Sequence, residues 1–191
     1  KTNIFQFFRT VQAIQVKVAD LAGAPVLIDD VVGGTGHRIQ TAHPTGQAPD
    51  QGGLAAALWG VFWVGDKLSQ LMFDFARPQV DTIYGMKEGE SPLLLTLLML
   101  FLIGPAEEIF WRGYVQQSLT ERWNANAGFV VTTAIYALVH AGSFNFMLTM
   151  AALVAGFAWG LLYRLFPERF AAIIISHALW DVAVFIWFPI M

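Results

Sequence analysis

Long apolar stretches separated by short polar breaks dominate the chain after residue 53. A helix needs about 20 mostly apolar residues to cross a hydrocarbon core of about 30 Å. Because several stretches approach this length, the pattern predicts an all-α, polytopic transmembrane bundle of about five spans. The predicted spans are Leu54 to about Phe75, Leu93–Ile103 continuing into Glu107, about Ala127–Ala141, Phe146–Tyr163 and Phe170–Ile190.

Residues 1–53 have a different pattern, with apolar runs too short to span and turn-rich stretches between them. Gly33-Gly34-Thr35-Gly36 lacks the GxxxxGK[ST] spacing of a phosphate-binding loop. His37 and His43 lie among turn residues, where we expect solvated loop histidines. We therefore predict a weakly structured or peripheral region over 1–53, followed by a membrane domain over 54–191.

Composition supports a membrane protein. The chain is 56% hydrophobic and 13% charged, whereas about 25% charged residues is usual in soluble domains. The net charge of -3 provides no basic field for nucleic acid, so the lipid bilayer is the expected environment. The absence of cysteine excludes disulfides, cysteine nucleophiles and thiolate metal sites.

The distribution of Lys and Arg predicts the orientation. Cytoplasmic segments near membrane spans carry an excess of these residues. If all five stretches cross, Arg77 and Lys87 lie on one side and eight other cations on the opposite side, so the N-terminus is expected in the cytoplasm. This inference depends on the first span crossing. The second group is Lys1, Arg9, Lys17, Arg38, Arg112, Arg122, Arg164 and Arg169.

Two adjacent glutamates follow a Gly-Pro pair in the second span. Ionisable groups at membrane depth cost about 3 kcal/mol or more and call for a functional explanation. The helix is expected to kink or restart at Gly104-Pro105. Glu108 and Arg112 are i,i+4 and face each other, whereas Glu107 lies about 100° around the helix. We interpret Glu108–Arg112 as a supporting ion pair and Glu107 as the freer carboxylate; alternatively, both glutamates merely cap a helix that leaves the membrane.

Two further spans carry histidine at membrane depth. Tyr136 and His140 share one helical face, and His177 and Asp181 are also i,i+4, so that the carboxylate can orient the imidazole. Each motif alone is equally compatible with a hydrogen-bonded residue that only locks helix packing. Imidazole also titrates near neutrality, which suits acid–base chemistry or metal binding.

Taken together, three spans each contribute a carboxylate or an imidazole, and facing helices of a bundle readily form an internal site. Such a set can activate water and stabilise an oxyanion, while HExxH and GxSxG motifs are absent. Glu107 and His177 are expected about 10 Å from the cytoplasmic side, but His140 about 18 Å. A shared site then requires a cavity open to the cytoplasm or a third span shifted in register.

The ordered set of motifs resembles the CPBP family of intramembrane peptidases, which includes CAAX prenyl endopeptidases and bacterial Abi and bacteriocin-immunity relatives. The resemblance covers about residues 92–188, with Arg164 and the Gly156-x-x-x-Gly160 packing motif as further similarities. It implies a membrane-embedded endopeptidase, acting on peptide or protein substrates in a bacterial plasma membrane. The motifs are Glu107-Glu108-x-x-x-Arg112, Tyr136-x-x-x-His140 and His177-x-x-x-Asp181.

By position, the resemblance implies that Glu107 activates the water, His140 helps to orient it, and His177 and Asp181 face the oxyanion. Two residues depart from the family pattern: Tyr136 stands where Phe is usual, and Asp181 where the eukaryotic prenyl peptidases have Asn. Because an anionic aspartate cannot donate to an oxyanion, we assign Asp181 to orienting His177.

Metal dependence and activity stay open at the level of sequence. Glu107, His140 and His177 are candidate ligands of a divalent metal such as zinc, yet the same residues suffice for a glutamate–histidine mechanism without metal. The alternatives to a peptidase are a non-catalytic immunity or partner-binding protein of the same fold and a small proton-coupled transporter. The transporter is disfavoured, because no inverted repeat is visible in the sequence.

Overall fold

The structure is a computed structural model that describes residues 51–190. The predicted peripheral region and the predicted solvated histidines His37 and His43 lie outside the described residues, apart from the last three residues of that region. Within 51–190 the chain forms helices and no strand, which confirms the predicted helical membrane bundle. The main helices are α1 (Gln51–Met72), α2 (Ala76–Gly85), α3 (Pro92–Arg122), α4 (Ala125–Ala141), α5 (Phe146–Leu165) and α6 (Phe170–Val182).

Three helical segments of the described residues are long and apolar enough to cross a membrane: Pro92–Arg122, Phe146–Leu165 and Pro167–Trp187. The last comprises a 3₁₀ turn, α6 and a π-helical turn. The expected total of about five spans is thus only approximate. Helix α4 is apolar but shorter, and α1 is not among the candidates because Asp66 and Lys67 lower its hydropathy.

Helix α3 continues through Gly104-Pro105 instead of ending there. A π-helical stretch, Met99–Ile103, precedes the proline, and the Gly104 N–H donates to the Met99 carbonyl five residues back. Proline has no N–H, and its ring crowds the carbonyl four residues earlier, so a local widening of the helix accommodates it. A second π-helical stretch, Ile109–Gln116, follows the glutamates. The kink or restart expected at Gly104-Pro105 is therefore a π-helical bulge within a continuous helix.

Side-chain caps and short connections fix the order of the helices. Asn124 accepts hydrogen bonds from the backbone N–H groups of Asn126 and Ala127 at the start of α4, and Asn145 accepts one from Leu148 at the start of α5. The short connections make consecutive long helices antiparallel. Arg122, Arg164 and Arg169 thus lie toward one end of the bundle, which we call the arginine end.

Glycines allow close contact between the helices that carry the site. A Cβ at Gly156 would lie 2.9 Å from Cδ1 of Tyr136 on α4, and one at Gly104 would lie 2.7 Å from Cβ of Ala178 on α6. Gly160 packs against Phe129 of α4 in the same way. The packing surface predicted from Gly156-x-x-x-Gly160 is confirmed, and it sets the distance between α4 and α5.

Candidate active site

A cavity of about 520 Å³ lies among the helices, and its wall is largely apolar. The side chains predicted for chemistry all line this cavity, although they come from three different helices. They are Glu107, Tyr136, His140, His177 and Asp181.

Glu107 and His140 lie at the same depth, contrary to the mismatch expected from the sequence. Helix α3 extends to Arg122, so Glu107 is at its centre, about 22 Å from the arginine end. His140 is near the end of α4, also about 22 Å from the residue that begins that helix. The sequence estimate was wrong because it placed the end of α3 only about seven residues after Glu107.

Glu107 is held by Tyr136. The Tyr136 hydroxyl donates to Oε2 of Glu107 at 2.9 Å. Nδ1 of His140 lies 2.8 Å from the Tyr136 carbonyl oxygen; since a carbonyl only accepts, this nitrogen carries the proton, and the neutral ring has its lone pair on Nε2. The hydroxyl that distinguishes Tyr136 from phenylalanine therefore positions the carboxylate.

Glu108 faces away from Glu107 into the helix bundle. Nη1 of Arg112 lies 2.8 Å from Oε1 of Glu108, so the predicted ion pair is present, and both side chains are fully buried. Nη2 of Arg112 donates to the Gly156 carbonyl at 3.3 Å, and the guanidinium lies 5.1 Å from the centre of the Tyr136 ring. The pair thus connects α3 to α4 and α5.

His177 makes a contact that the sequence did not reveal. Its Nδ1 lies 2.5 Å from Oε1 of Glu108, whereas its Nε2 lies 3.4 Å from Oδ1 of Asp181. Trp159 stacks on the imidazole with ring centroids 4.1 Å apart. The i,i+4 contact with Asp181 exists, but Glu108 is the nearer carboxylate. No sequence signal could have joined Glu108 to His177, because they lie on different helices.

Two other buried polar residues escaped the sequence analysis. Gln116 is fully buried and donates through Nε2 to the Gly160 carbonyl at 2.9 Å, which ties α3 to α5. Asp66 is buried on α1 and lines the same cavity. The sequence does contain a signal for Asp66, because it is a carboxylate in an apolar helix.

The described residues contain no group of three or more His, Cys, Asp or Glu side chains arranged to hold one metal ion. Glu107, His140 and His177 share the cavity wall without forming such a ligand set. Binding of a metal such as zinc by these residues stays a prediction, and the chemistry below uses only side chains of this chain.

The cavity extends to the end of the bundle opposite the arginine end. Its lining includes Met72 and Phe73 at the end of α1, Phe146 at the start of α5, and Ile190. The Lys and Arg distribution predicts that the arginine end is cytoplasmic. A cavity that extends to the opposite end disagrees with the expectation that the cavity opens to the cytoplasm.

The part of the chain that carries the candidate site matches a known protein family. The family described as type II CAAX prenyl endopeptidase, Rce1-like, matches residues 89–183. Residues 89–183 belong to this family. The Rce1-like segment contains every motif residue from Glu107 to Asp181 and leaves α1 and α2 outside it. No curated protein and no solved structure gives a significant match.

The Rce1-like assignment confirms the resemblance that the ordered motifs suggested. The matched family is one of CAAX-type proteases, and thus of hydrolases, which act on peptide substrates at the membrane. Together with the apolar helices, the family assignment identifies an integral membrane protein.

Proposed function

We propose that this chain is an intramembrane endopeptidase that hydrolyses peptide bonds with a water molecule activated by Glu107 and His140. The observation that carries the proposal is that Glu107, His140 and His177, from three separate helices, line one cavity. A carboxylate and two imidazoles in one enclosed site provide a general base and an electrophilic donor.

Glu107 is the general base. Its carboxylate is fixed by the Tyr136 hydroxyl through Oε2 and accepts a proton as the water oxygen attacks the carbonyl carbon of the peptide. His140, whose Nδ1 donates to the Tyr136 carbonyl, helps to orient that water. When the C–N bond of the tetrahedral intermediate breaks, Glu107 returns the proton to the leaving amine.

His177 stabilises the oxyanion. Its Nδ1–H donates to Glu108, and a proton on Nε2 allows a second donation toward the cavity, where Oδ1 of Asp181 lies 3.4 Å away. Asp181 is more exposed than the fully buried His177. A substrate oxygen can therefore approach Asp181 and accept a hydrogen bond from Nε2 of His177. Glu108 and Arg112 hold the ring in place, and Asp181 keeps the second nitrogen protonated.

The decisive test is Glu107→Gln, assayed as cleavage of membrane-associated peptides by purified protein. The amide keeps the shape of the side chain but cannot accept the proton, so we expect turnover to fall by at least about a hundredfold with unchanged thermal unfolding. The matched control is Glu121→Gln, which alters an exposed glutamate of the same helix and should leave turnover unchanged.

Two further measurements complete this test. His140→Ala and His177→Ala should each abolish cleavage. Combining them with Glu107→Gln should add little, because the effects of groups that act as one unit are not additive.

Treatment with EDTA or phenanthroline should not change the parent's rate of cleavage. Turnover by Glu107→Gln equal to that of the parent would refute the catalytic assignment and favour the non-catalytic immunity or partner-binding protein.

A further inference from the structure

Asp66 is a buried carboxylate that the proposed chemistry does not use. It lies on α1 and is only 6% exposed. Its Oδ2 accepts a hydrogen bond from Nε2 of Gln70 at 2.6 Å and lies 3.3 Å from Nζ of Lys67. Its Oδ1 is also buried, and no described residue donates a hydrogen bond to it. A buried carboxylate oxygen without a donor is costly, so this atom points to a donor from outside the chain.

The polar neighbours of Asp66 at the cavity wall are already engaged elsewhere. Ser69 donates through its hydroxyl to the Asp66 backbone carbonyl. Tyr84 donates to the Val184 carbonyl at 3.2 Å and accepts from the Ile190 N–H at 2.9 Å. Burial raises the pKa of Tyr84, and the nearby charge of Asp66 adds to this effect. Neither hydroxyl hydrogen points to Oδ1 of Asp66.

The register of the helices places Asp66 on the part of α1 that packs near the Asp181 turn of α6. The rings of Phe62 on α1 and Trp180 on α6 are in contact, with centroids 4.7 Å apart. Asp66 follows Phe62 by one helical turn, about 6 Å along the axis, while Asp181 directly follows Trp180.

We propose that Asp66 is a specificity subsite that binds the cationic side chain, lysine or arginine, of a peptide substrate near the scissile bond, a role that rests on the proposed endopeptidase function. The cavity that contains the catalytic residues also contains Asp66 on its otherwise apolar wall. An ammonium or guanidinium group supplies the missing N–H donor, and its positive charge strengthens the hydrogen bond to a carboxylate. Lys67 does not fill this role, because it reaches Oδ2 and its side chain is 41% exposed.

The test measures binding in the Glu107→Gln background, where turnover does not deplete the probe. The probes are short fluorescent Ala/Leu peptides with a single lysine at each position in turn, paired with peptides that carry norleucine at the same position. We expect one or two lysine positions to bind at least about tenfold more tightly than their norleucine partners. Adding Asp66→Asn should remove this difference and leave binding of the norleucine peptides unchanged.

Asp74→Asn is the matched control, because Asp74 is an exposed aspartate between α1 and α2, and it should preserve the lysine preference. Equal binding of lysine and norleucine peptides would overturn the proposal, and this comparison does not require any Asp66 variant to fold. A lysine preference that persists in Asp66→Asn would also overturn it.

Cleavage by the parent separates this proposal from the broader one. If Glu107→Gln and the parent are equally inactive, the proposed function fails, while the binding data still decide the role of Asp66. If the parent cleaves lysine and norleucine peptides equally well, the proposed peptidase function stands and the Asp66 subsite fails.

Discussion

Glu107 and Glu108 are neighbours in the sequence, but their surroundings give them different roles. Glu107 is half-buried and lies on the cavity wall, where Tyr136 donates to it. Glu108 is fully buried between Arg112 and His177. The 100° turn between consecutive residues of a helix accounts for this difference, and we assign chemistry to the first glutamate and structural support to the second.

At this scale we predict that Arg112→Ala destabilises the protein. Removing the guanidinium leaves Glu108 buried without its main cationic partner and removes the bond to the Gly156 carbonyl. We expect a loss of about 3 kcal/mol, seen as a melting temperature lower by roughly 5–10 °C. The measurement is thermal unfolding of the purified protein in detergent.

Arg122→Ala is the control for that prediction, because Arg122 is exposed at the end of the same helix; its melting temperature should match the parent's. If Arg112→Ala unfolds at the parent's temperature but has no turnover, Arg112 takes part in the chemistry, and the roles of Glu107 and Glu108 must be exchanged.

At the scale of helices, the site depends on how closely α3, α4 and α5 approach one another. Gly156 lies against the Tyr136 ring and also provides the carbonyl that Arg112 binds. The π-helical stretch before Pro105 lets α3 continue and places Glu107 at its centre. Small residues and one local widening of a helix therefore control where the carboxylate and imidazoles lie.

Replacing glycine by alanine at two helical positions should have opposite effects. Alanine favours a helix by about 1 kcal/mol over glycine, and at Gly60 the new Cβ meets no atom within 4 Å. At Gly156 the Cβ would lie 2.9 Å from the buried Tyr136 ring. We expect Gly60→Ala to be neutral or slightly stabilising, whereas Gly156→Ala lowers the melting temperature and, by moving Tyr136, the rate of cleavage. Equal behaviour of the two variants would contradict the close packing of α4 and α5.

At the scale of the whole molecule, the two ends of the bundle differ in charge. The arginine end carries Arg122, Arg164 and Arg169, the opposite end carries Arg77 and Lys87, and Lys67 lies within α1. The excess of cations on cytoplasmic segments leads us to propose that the arginine end faces the cytoplasm and that the cavity extends toward the other side of the membrane.

The absence of native cysteine makes this orientation directly measurable. Glu168→Cys places a thiol in the exposed turn at the arginine end, and Glu88→Cys places one in the exposed turn between α2 and α3. In intact cells, a membrane-impermeant maleimide should label Glu88→Cys, and it should label Glu168→Cys only after permeabilisation. The opposite labelling pattern would show that the cavity faces the cytoplasm.

The sequence by itself determined the fold class, the candidate site residues and the ion pair between Glu108 and Arg112. Each of these rests on local information: the length of apolar runs, and the i,i+4 spacing that brings two side chains to one face of a helix. The length of apolar runs predicts the number of spans only approximately, because a helix such as α1 combines a sufficient length with a buried aspartate.

Only the tertiary structure decided the contacts between helices. The bond between Glu108 and His177, the common depth of Glu107 and His140, and the place of Asp66 on the cavity wall all depend on the relative position of separate helices. That position is set by the packing of glycines and aromatic rings across the bundle. Periodicity within one helix contains no information about such distances, and for this reason the sequence could name the residues of the site but not its geometry.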